Sequence, residues 1–251
     1  PAFFRMFEKG ELNNQFSVIG FARRKKSHES FREEIQQALA ALNPSPSIEK
    51  IKEFLTHVFY CDSAFESREG FEKLKELLKE AEVLFSIPEN RLFFLSTSPN
   101  HFSPIANQLM KAGLNSSKGF SKIVVEKPFG LDLKSARKLN ALLGKGFGEK
   151  DSYRIDHYLG KETLQNILTF RFGNGVFEPL INSQYIDHIQ INASEDFGIG
   201  KRGGYYDSVG ALIDVGQNHL LQMIAFATMD APSEFSNQAV TEERIKILRN
   251  L

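Results

Sequence analysis

The stretch Arg154, Ile155, Asp156, His157, Tyr158, Leu159, Gly160, Lys161 and Glu162 is the densest run of reactive side chains in the sequence. A helix begun near His157 would set His157 and Lys161 four residues apart on one face. Both heads would then aim at one spot, as capture of a phosphate dianion needs. The same residues also suit a surface helix start with an incidental ion pair. Asp156 would project elsewhere and remain available to another partner.

His219, in the run Leu212–Met229, falls at the edge of an apolar helical face, where a histidine is either a satisfied core residue or a base held by a carboxylate. Asp214, five positions earlier, lies about 140° around a 3.6-residue wheel and is poorly placed to hold the same imidazole. A partner from another segment is needed, and Asp156 is the best candidate. Lys127 precedes Pro128 at the end of a strand, where α/β folds bind ligands, although a strand-terminal cis proline would explain the pair structurally. The basic run Arg23, Arg24, Lys25, Lys26 ends another strand. In dinucleotide-binding folds an arginine at that point accommodates the 2′-phosphate of NADP, and a solvated loop is the competing reading. Gly203, Gly204, Tyr205 and Tyr206 read as a loop or hairpin flanked by Glu195 and Asp207.

The elements that must position these residues follow from periodicity. Phe16–Phe21, Arg91–Leu95 and Lys122–Val125 read as short buried strands. Amphipathic helices are expected after a Ser30–Glu33 capping pair, over Ile48–His57, over Glu69–Val83, around Ala106–Lys111 and from about Leu131 to Leu143. Strands alternating with helices indicate a parallel, helix-covered sheet. Gly144–Gly148 marks a boundary, giving a dinucleotide-binding domain over 1–148 and an α+β domain over 149–251. In the second, Ile186–Ile191 reads as a strand. Tyr206–Met229 reads as one long helix, with Gly216 on its apolar side permitting close backbone approach.

The sequence has 251 residues, 31 basic and 31 acidic, so its net charge of zero gives no global pull toward nucleic acid or an anionic membrane. Its 41% apolar and 25% charged content are ordinary globular values. The most apolar stretch, Leu220–Met229, is far short of the ~20 residues a membrane helix needs. A single cysteine, Cys61, excludes an intramolecular disulfide and a cysteine-built metal site, and fits a reducing, cytoplasmic setting. A dinucleotide fold also requires a glycine-rich turn after its first strand, and no G-x-G-x-x-G precedes Phe16. Pro1–Glu11 reads as the tail of the first helix, so that strand and turn are expected ahead of residue 1. The first strand is central in the doubly wound order, and without it both neighbours would lack a partner.

The segments VIGFARR, NRLFFLS, KIVVEKPFG, YRIDHYLGKE, FRFGN, GKRGGYYDSVGALIDVGQNHLLQM and EERIKILR, in that order, resemble the glucose-6-phosphate dehydrogenase family. RIDHYLGKE is the specific signature; EKP is shared with other sugar oxidoreductases. The resemblance implies an α/β Rossmann-type coenzyme domain followed by an α+β domain with a large, mostly antiparallel sheet, both incomplete in this sequence, with the active site between them. It implies oxidation of D-glucose 6-phosphate at C1 to 6-phosphogluconolactone with hydride transfer to NADP, the first step of the pentose phosphate pathway, in a homodimer or homotetramer and without a metal. His219 would be the base and Asp156 its orienting carboxylate. His157, Tyr158 and Lys161 would hold the substrate phosphate, while Glu195 and Asp214 would accept from sugar hydroxyls. Lys127 would lie between sugar and nicotinamide, and Arg23 would contact the 2′-phosphate. Ile213 and Gly216 replace residues that are larger or charged in many relatives. Another NAD(P)-dependent sugar oxidoreductase sharing EKP, and a truncated, inactive binding module, are the alternatives.

Overall fold

The computed structural model describes residues 1–42, 44, 46–130, 132–194, 196, 198–200 and 203–251. It divides into two units, Pro1–Arg154 and Ile155–Leu251.

The first unit opens with α1 (Ala2–Glu8), followed by β1 (Val18–Ala22), α2 (His28–Ala40), α3 (Ile48–Thr56) and β2 (Val58–Asp62). β1 and β2 pair in parallel, Val18 opposite Val58 and Ala22 opposite Asp62. Phe4 and Phe7 of α1 close one apolar cluster with Phe16, Leu39, Ile51, Phe54 and Val58. The cap of α2 lies three residues before the expected one: Ser27 and Ser30 exchange hydrogen bonds between side chain and backbone at 3.1 and 3.2 Å. Two serines thus satisfy the donors that the Ser30–Glu33 pair was expected to cover.

α4 (Arg68–Leu84), β3 (Arg91–Leu95), α5 (Phe102–Lys111), β4 (Ser121–Glu126), α6 (Leu133–Gly146) and β5 (Ser152–Ile155) follow. β3 and β4 run parallel with Arg91 opposite Ser121, and β5 extends that sheet in the order β3-β4-β5. Among the described residues the strands therefore form two sheets, β1-β2 and β3-β4-β5. One apolar cluster draws on both: Cys61, Leu95, Ile123 and Val125 pack with Phe71, Leu74, Phe102, Leu109 and Leu143, and with Ile19 and Phe21 at its border. Continuous apolar strands between helices are the burial pattern of a parallel sheet covered on its faces.

The second unit contains α7 (Glu162–Phe172), α8 (Gly203–Ala211), α9 (Leu221–Thr228) and α10 (Asn237–Arg249). Its core joins Leu164, Phe226 and Met229, with Leu159, Ile167, Leu168, Phe172, Met223, Val240 and Ile247 around them. The single helix expected over Tyr206–Met229 is three pieces. Gly210 sits at φ 74°, ψ 164°, a conformation almost confined to glycine, and breaks α8 near its end. Leu212–Leu220 is then wound as a π-helix, with the Leu221 N–H donating to the Gly216 carbonyl five residues back.

Three more expectations change. Gly203–Tyr206 begins a helix rather than a hairpin. At Gly216 a side chain would meet Leu212 Cδ1 of its own helix at 3.3 Å, not another backbone. Among the described residues Ile186–Ile191 has no ladder partner, and Ile186 and Ile189 are exposed. A strand exists only where its N–H and C=O groups find a neighbour. The β1–β2 and β3–β4 pairings are parallel and lie in the first unit, and the large antiparallel sheet is not seen among the described residues. Among the described residues no helix is long and apolar enough to cross a membrane.

Candidate active site

Asp156 follows directly on β5, and its carboxylate bends the chain. The Tyr158 N–H donates to Asp156 Oδ1 at 2.9 Å, and the Leu159 and Lys161 N–H groups then close successive tight turns on Asp156 and Tyr158 carbonyls. α7 starts only at Glu162. The Leu159 and Lys161 N–H groups bond three residues back in place of the four-residue bonds of an α-helix, so the helical register expected from His157 does not form. His157 stands exposed, in a turn and not in a helix. The side chains brought together are instead those of Tyr158 and Lys161. The Lys161 Nζ lies 3.9 Å from the centroid of the Tyr158 ring.

The other face of that ring carries His219. The two rings stack with centroids 3.9 Å apart and planes 17° from parallel. An imidazole so placed leaves no room for an ammonium on the same side, so cation, phenol and imidazole form three layers. His219 Nδ1 lies 2.9 Å from Asp156 Oδ1 and 3.1 Å from Oδ2. The His219 side chain is 3% exposed and that of Asp156 9%. A carboxylate only accepts, so the proton of the neutral ring belongs on Nδ1 and the Nε2 lone pair is the basic one. A buried carboxylate fixing the tautomer and orientation of a histidine is the arrangement that general-base chemistry requires.

The π winding alters the relation of Asp214 to His219. Five residues separate them, and i→i+5 bonding brings residues at that spacing toward one side. Both are buried, at 7% and 2% exposure. The wheel that set Asp214 apart assumed an α-helix, and the local winding here is different. Glu195 lies outside the described residues.

In the first unit, Lys127 follows β4, half-buried, and its bond to Pro128 is cis. Arg23 follows β1, exposed, with its guanidinium carbon 5.5 Å from the Phe65 ring centroid. Both therefore stand at the carboxyl ends of parallel strands, where open α/β sheets receive ligands. Lys26 is already committed to Glu34 at 2.5 Å.

Arg171, buried, and Arg244, partly buried, are not among the residues singled out in the sequence. Arg171 donates from Nη1 to the carbonyls of Phe226 and Met229 at 3.1 and 2.8 Å, closing the C-terminal end of α9. Burial pulls its guanidinium below the usual arginine range, against the opposing charges of Glu178 and Asp230. Arg244 stands with Val240 and Ile247 at helical spacing on the face of α10 turned to the core. A cation inside an apolar stripe was the available signal; nothing in the pattern around Arg171 offered one.

Family comparison decides what this geometry belongs to. The model described as glucose-6-phosphate dehydrogenase, NAD binding domain, matches residues 1–166, and that of the glucose-6-phosphate dehydrogenase C-terminal domain matches 168–251. The chain belongs to the glucose-6-phosphate dehydrogenase family. A glucose-6-phosphate 1-dehydrogenase of Chlamydia muridarum is 43% identical over all of this chain and 51% of its own length. That of Bacillus subtilis is 38% identical over all of this chain and 50% of its own. A solved glucose-6-phosphate dehydrogenase in complex with glucose 6-phosphate superposes with a TM-score of 0.89 at 39% identity, over 99% of this chain and 51% of that one. A glucose-6-phosphate 1-dehydrogenase from Mycobacterium avium gives 0.85 at 30% identity, over 99% of this chain and 53% of that one. The chain thus spans about half the length of these glucose-6-phosphate dehydrogenases.

Proposed function

We propose that the protein oxidises D-glucose 6-phosphate at C1 to 6-phosphogluconolactone with hydride transfer to NADP, the first step of the pentose phosphate pathway. The observation that carries this reading is the buried contact of 2.9 Å between His219 Nδ1 and Asp156, beside the Lys161–Tyr158 stack. With Nδ1–H engaged, His219 Nε2 takes the proton of the C1 hydroxyl as hydride leaves C1. Asp156 holds the tautomer and stabilises the imidazolium that results. Assistance of this kind is typically worth about 10²–10⁴-fold. His157, Tyr158 and Lys161 bind the phosphate, and Glu195 and Asp214 orient the sugar hydroxyls, so that binding energy distant from C1 is spent on holding C1 for reaction.

The donor set of the first unit suits a phosphorylated dinucleotide. Arg23 is an exposed guanidinium at the end of a parallel strand, with an aromatic ring beneath it, and would hold the 2′-phosphate. Lys127 would serve both sugar and nicotinamide. NADP, when bound, supplies the hydride acceptor. The same reading takes 1–148 as the coenzyme domain and 149–251 as part of the substrate domain, whose completed form carries a large, mostly antiparallel sheet. It also makes the enzyme a cytoplasmic homodimer or homotetramer.

The test is NADPH formation by the purified full-length protein, with glucose 6-phosphate, free glucose and other phosphorylated sugars offered in parallel. Glucose 6-phosphate should be preferred by a wide margin. Preference for a different sugar assigns the chain to another reaction, and no reduction with any sugar removes the dehydrogenase reading.

A further inference from the structure

α10 turns a charged residue into the core of the second unit. Val240, Arg244 and Ile247 recur at four and three residues, one face of a helix, and the two aliphatic members pack against the Leu164–Phe226–Met229 core. The Arg244 guanidinium carbon lies 4.6 Å from the centroid of Phe226. Its Nη2 donates to Gln222 Oε1, and its Nε is buried with no hydrogen-bond partner among the described residues. Burying a guanidinium among hydrocarbon is costly unless a charge of opposite sign answers it. Burial does pull Arg244 below the ordinary arginine range, and the charge working against that pull is the Asp156 carboxylate.

Both Arg244 contacts are on α9, which follows directly on the π-helix that carries the imidazole. Gln222 stands three residues beyond His219, and Phe226, four beyond Gln222, shares its side of α9. Asp156, for its part, is a buried carboxylate whose hydrogen bonds described above come from neutral donors, the Tyr158 N–H and the His219 ring. A cation hydrogen-bonded to Gln222 and set against Phe226 limits movement of the turn next to His219. We propose that Arg244 is a positioning residue for the Asp156–His219 pair: anchored to Gln222 and laid against Phe226, its guanidinium braces the chain next to the imidazole and keeps His219 in register with the carboxylate. The consequence for turnover rests on the dehydrogenase reading; the hold on the pair does not.

The two are separated by a readout that needs no turnover. In the full-length protein labelled with ¹⁵N in histidine, the Nδ1–H of His219 bonded to Asp156 should give a protected resonance that is absent from H219N. Arg244→Lys should keep it, and Arg244→Met, which retains the apolar stem, should shift it or lose it. In parallel, kcat should fall about tenfold in Arg244→Met with KM for glucose 6-phosphate within about twofold of wild type, and Arg244→Lys should recover most of the loss. A wild-type resonance in Arg244→Met, a wild-type kcat in that variant, or a lysine variant no better than methionine overturns the proposal. If Arg244→Met does not fold, Gln222→Leu releases the anchor while leaving the cation, and an unmoved resonance there overturns it equally. If the resonances respond as expected but the wild-type protein leaves glucose 6-phosphate unoxidised, the dehydrogenase reading falls and the role of Arg244 in holding the pair stands.

Discussion

Tyr158 and His219 lie face to face, 3.9 Å between ring centroids, with the Lys161 ammonium on the remaining face of the phenol. The group proposed to bind phosphate and the group proposed to take the proton therefore share one aromatic ring. An aromatic pair of this kind is worth about 0.5–1.5 kcal/mol beyond its burial, and about 1.4 kcal/mol is tenfold in rate. Tyr158→Phe keeps the stack and should hold kcat within about threefold of wild type, while Tyr158→Ala removes one wall of the imidazole and should lower kcat a further tenfold or so. Steady-state kinetics of the two variants decide the matter, and equal kcat values would show that the ring does not hold His219.

His219 and Asp156 separate by the kind of loss they cause. His219→Asn should lower kcat at least about 100-fold with KM near normal, because the base acts in the transition state and not in binding. Asp156→Asn offers Nδ1 either an amide N–H or a weaker acceptor, so the imidazole is free to turn its proton to Nε2, and kcat should again fall while KM holds. Near wild-type turnover in either variant would remove that residue from the proposed role.

Much of this arrangement was legible because it depends on residue type and spacing. The parallel strands β1, β3 and β4 lie within two residues of the apolar runs at Phe16–Phe21, Arg91–Leu95 and Lys122–Val125. What escaped depends on local winding. The π-helix at Leu212–Leu220 leaves no period in the sequence that differs from an α-helix over nine residues. Successive three-residue turns closed by the Leu159 and Lys161 N–H groups replace the helical pairing of His157 with Lys161. Strand pairing at Ile186–Ile191 depends on a neighbour that a single segment cannot reveal.

Asp132 gives a pH test. At the start of α6 its carboxylate accepts from the Ser135 N–H at 2.7 Å and the Ser135 hydroxyl at 2.5 Å, and these bonds hold it below the usual aspartate range. A carboxyl whose folded value lies below its unfolded value near ~3.9 stabilises the fold at pH above the unfolded value and loses that contribution as pH falls through the folded one. Asp132→Asn keeps a cap that does not titrate. The thermal midpoint of wild type should exceed that of the variant at neutral pH, and the gap should close on acidification below about pH 4. A gap independent of pH would mean that the carboxylate charge adds nothing to the cap.

Arg171 is a prediction about stability alone. Its removal leaves the carbonyls of Phe226 and Met229 without their donor in a buried place and takes the partner of Glu178, 3.7 Å from Nη2. Leaving buried polar groups unpaired costs about 1–3 kcal/mol each, so Arg171→Met should destabilise the protein by roughly 2–5 kcal/mol. Denaturant unfolding measures it, and a loss under about 0.5 kcal/mol would place these carbonyls in contact with water.

Lys161 tests the chemistry of the substrate end. It stands exposed at the turn before α7, in contact with the π face of Tyr158, so its ammonium is available to an anion arriving from solvent. A phosphate ester gains charge-assisted hydrogen bonds there, and a free sugar gains nothing. Lys161→Ala should therefore raise KM for glucose 6-phosphate at least about tenfold and leave the weak use of glucose within about twofold of wild type. Equal losses for the two sugars would mean that Lys161 supports the site through the stack and does not bind the phosphate.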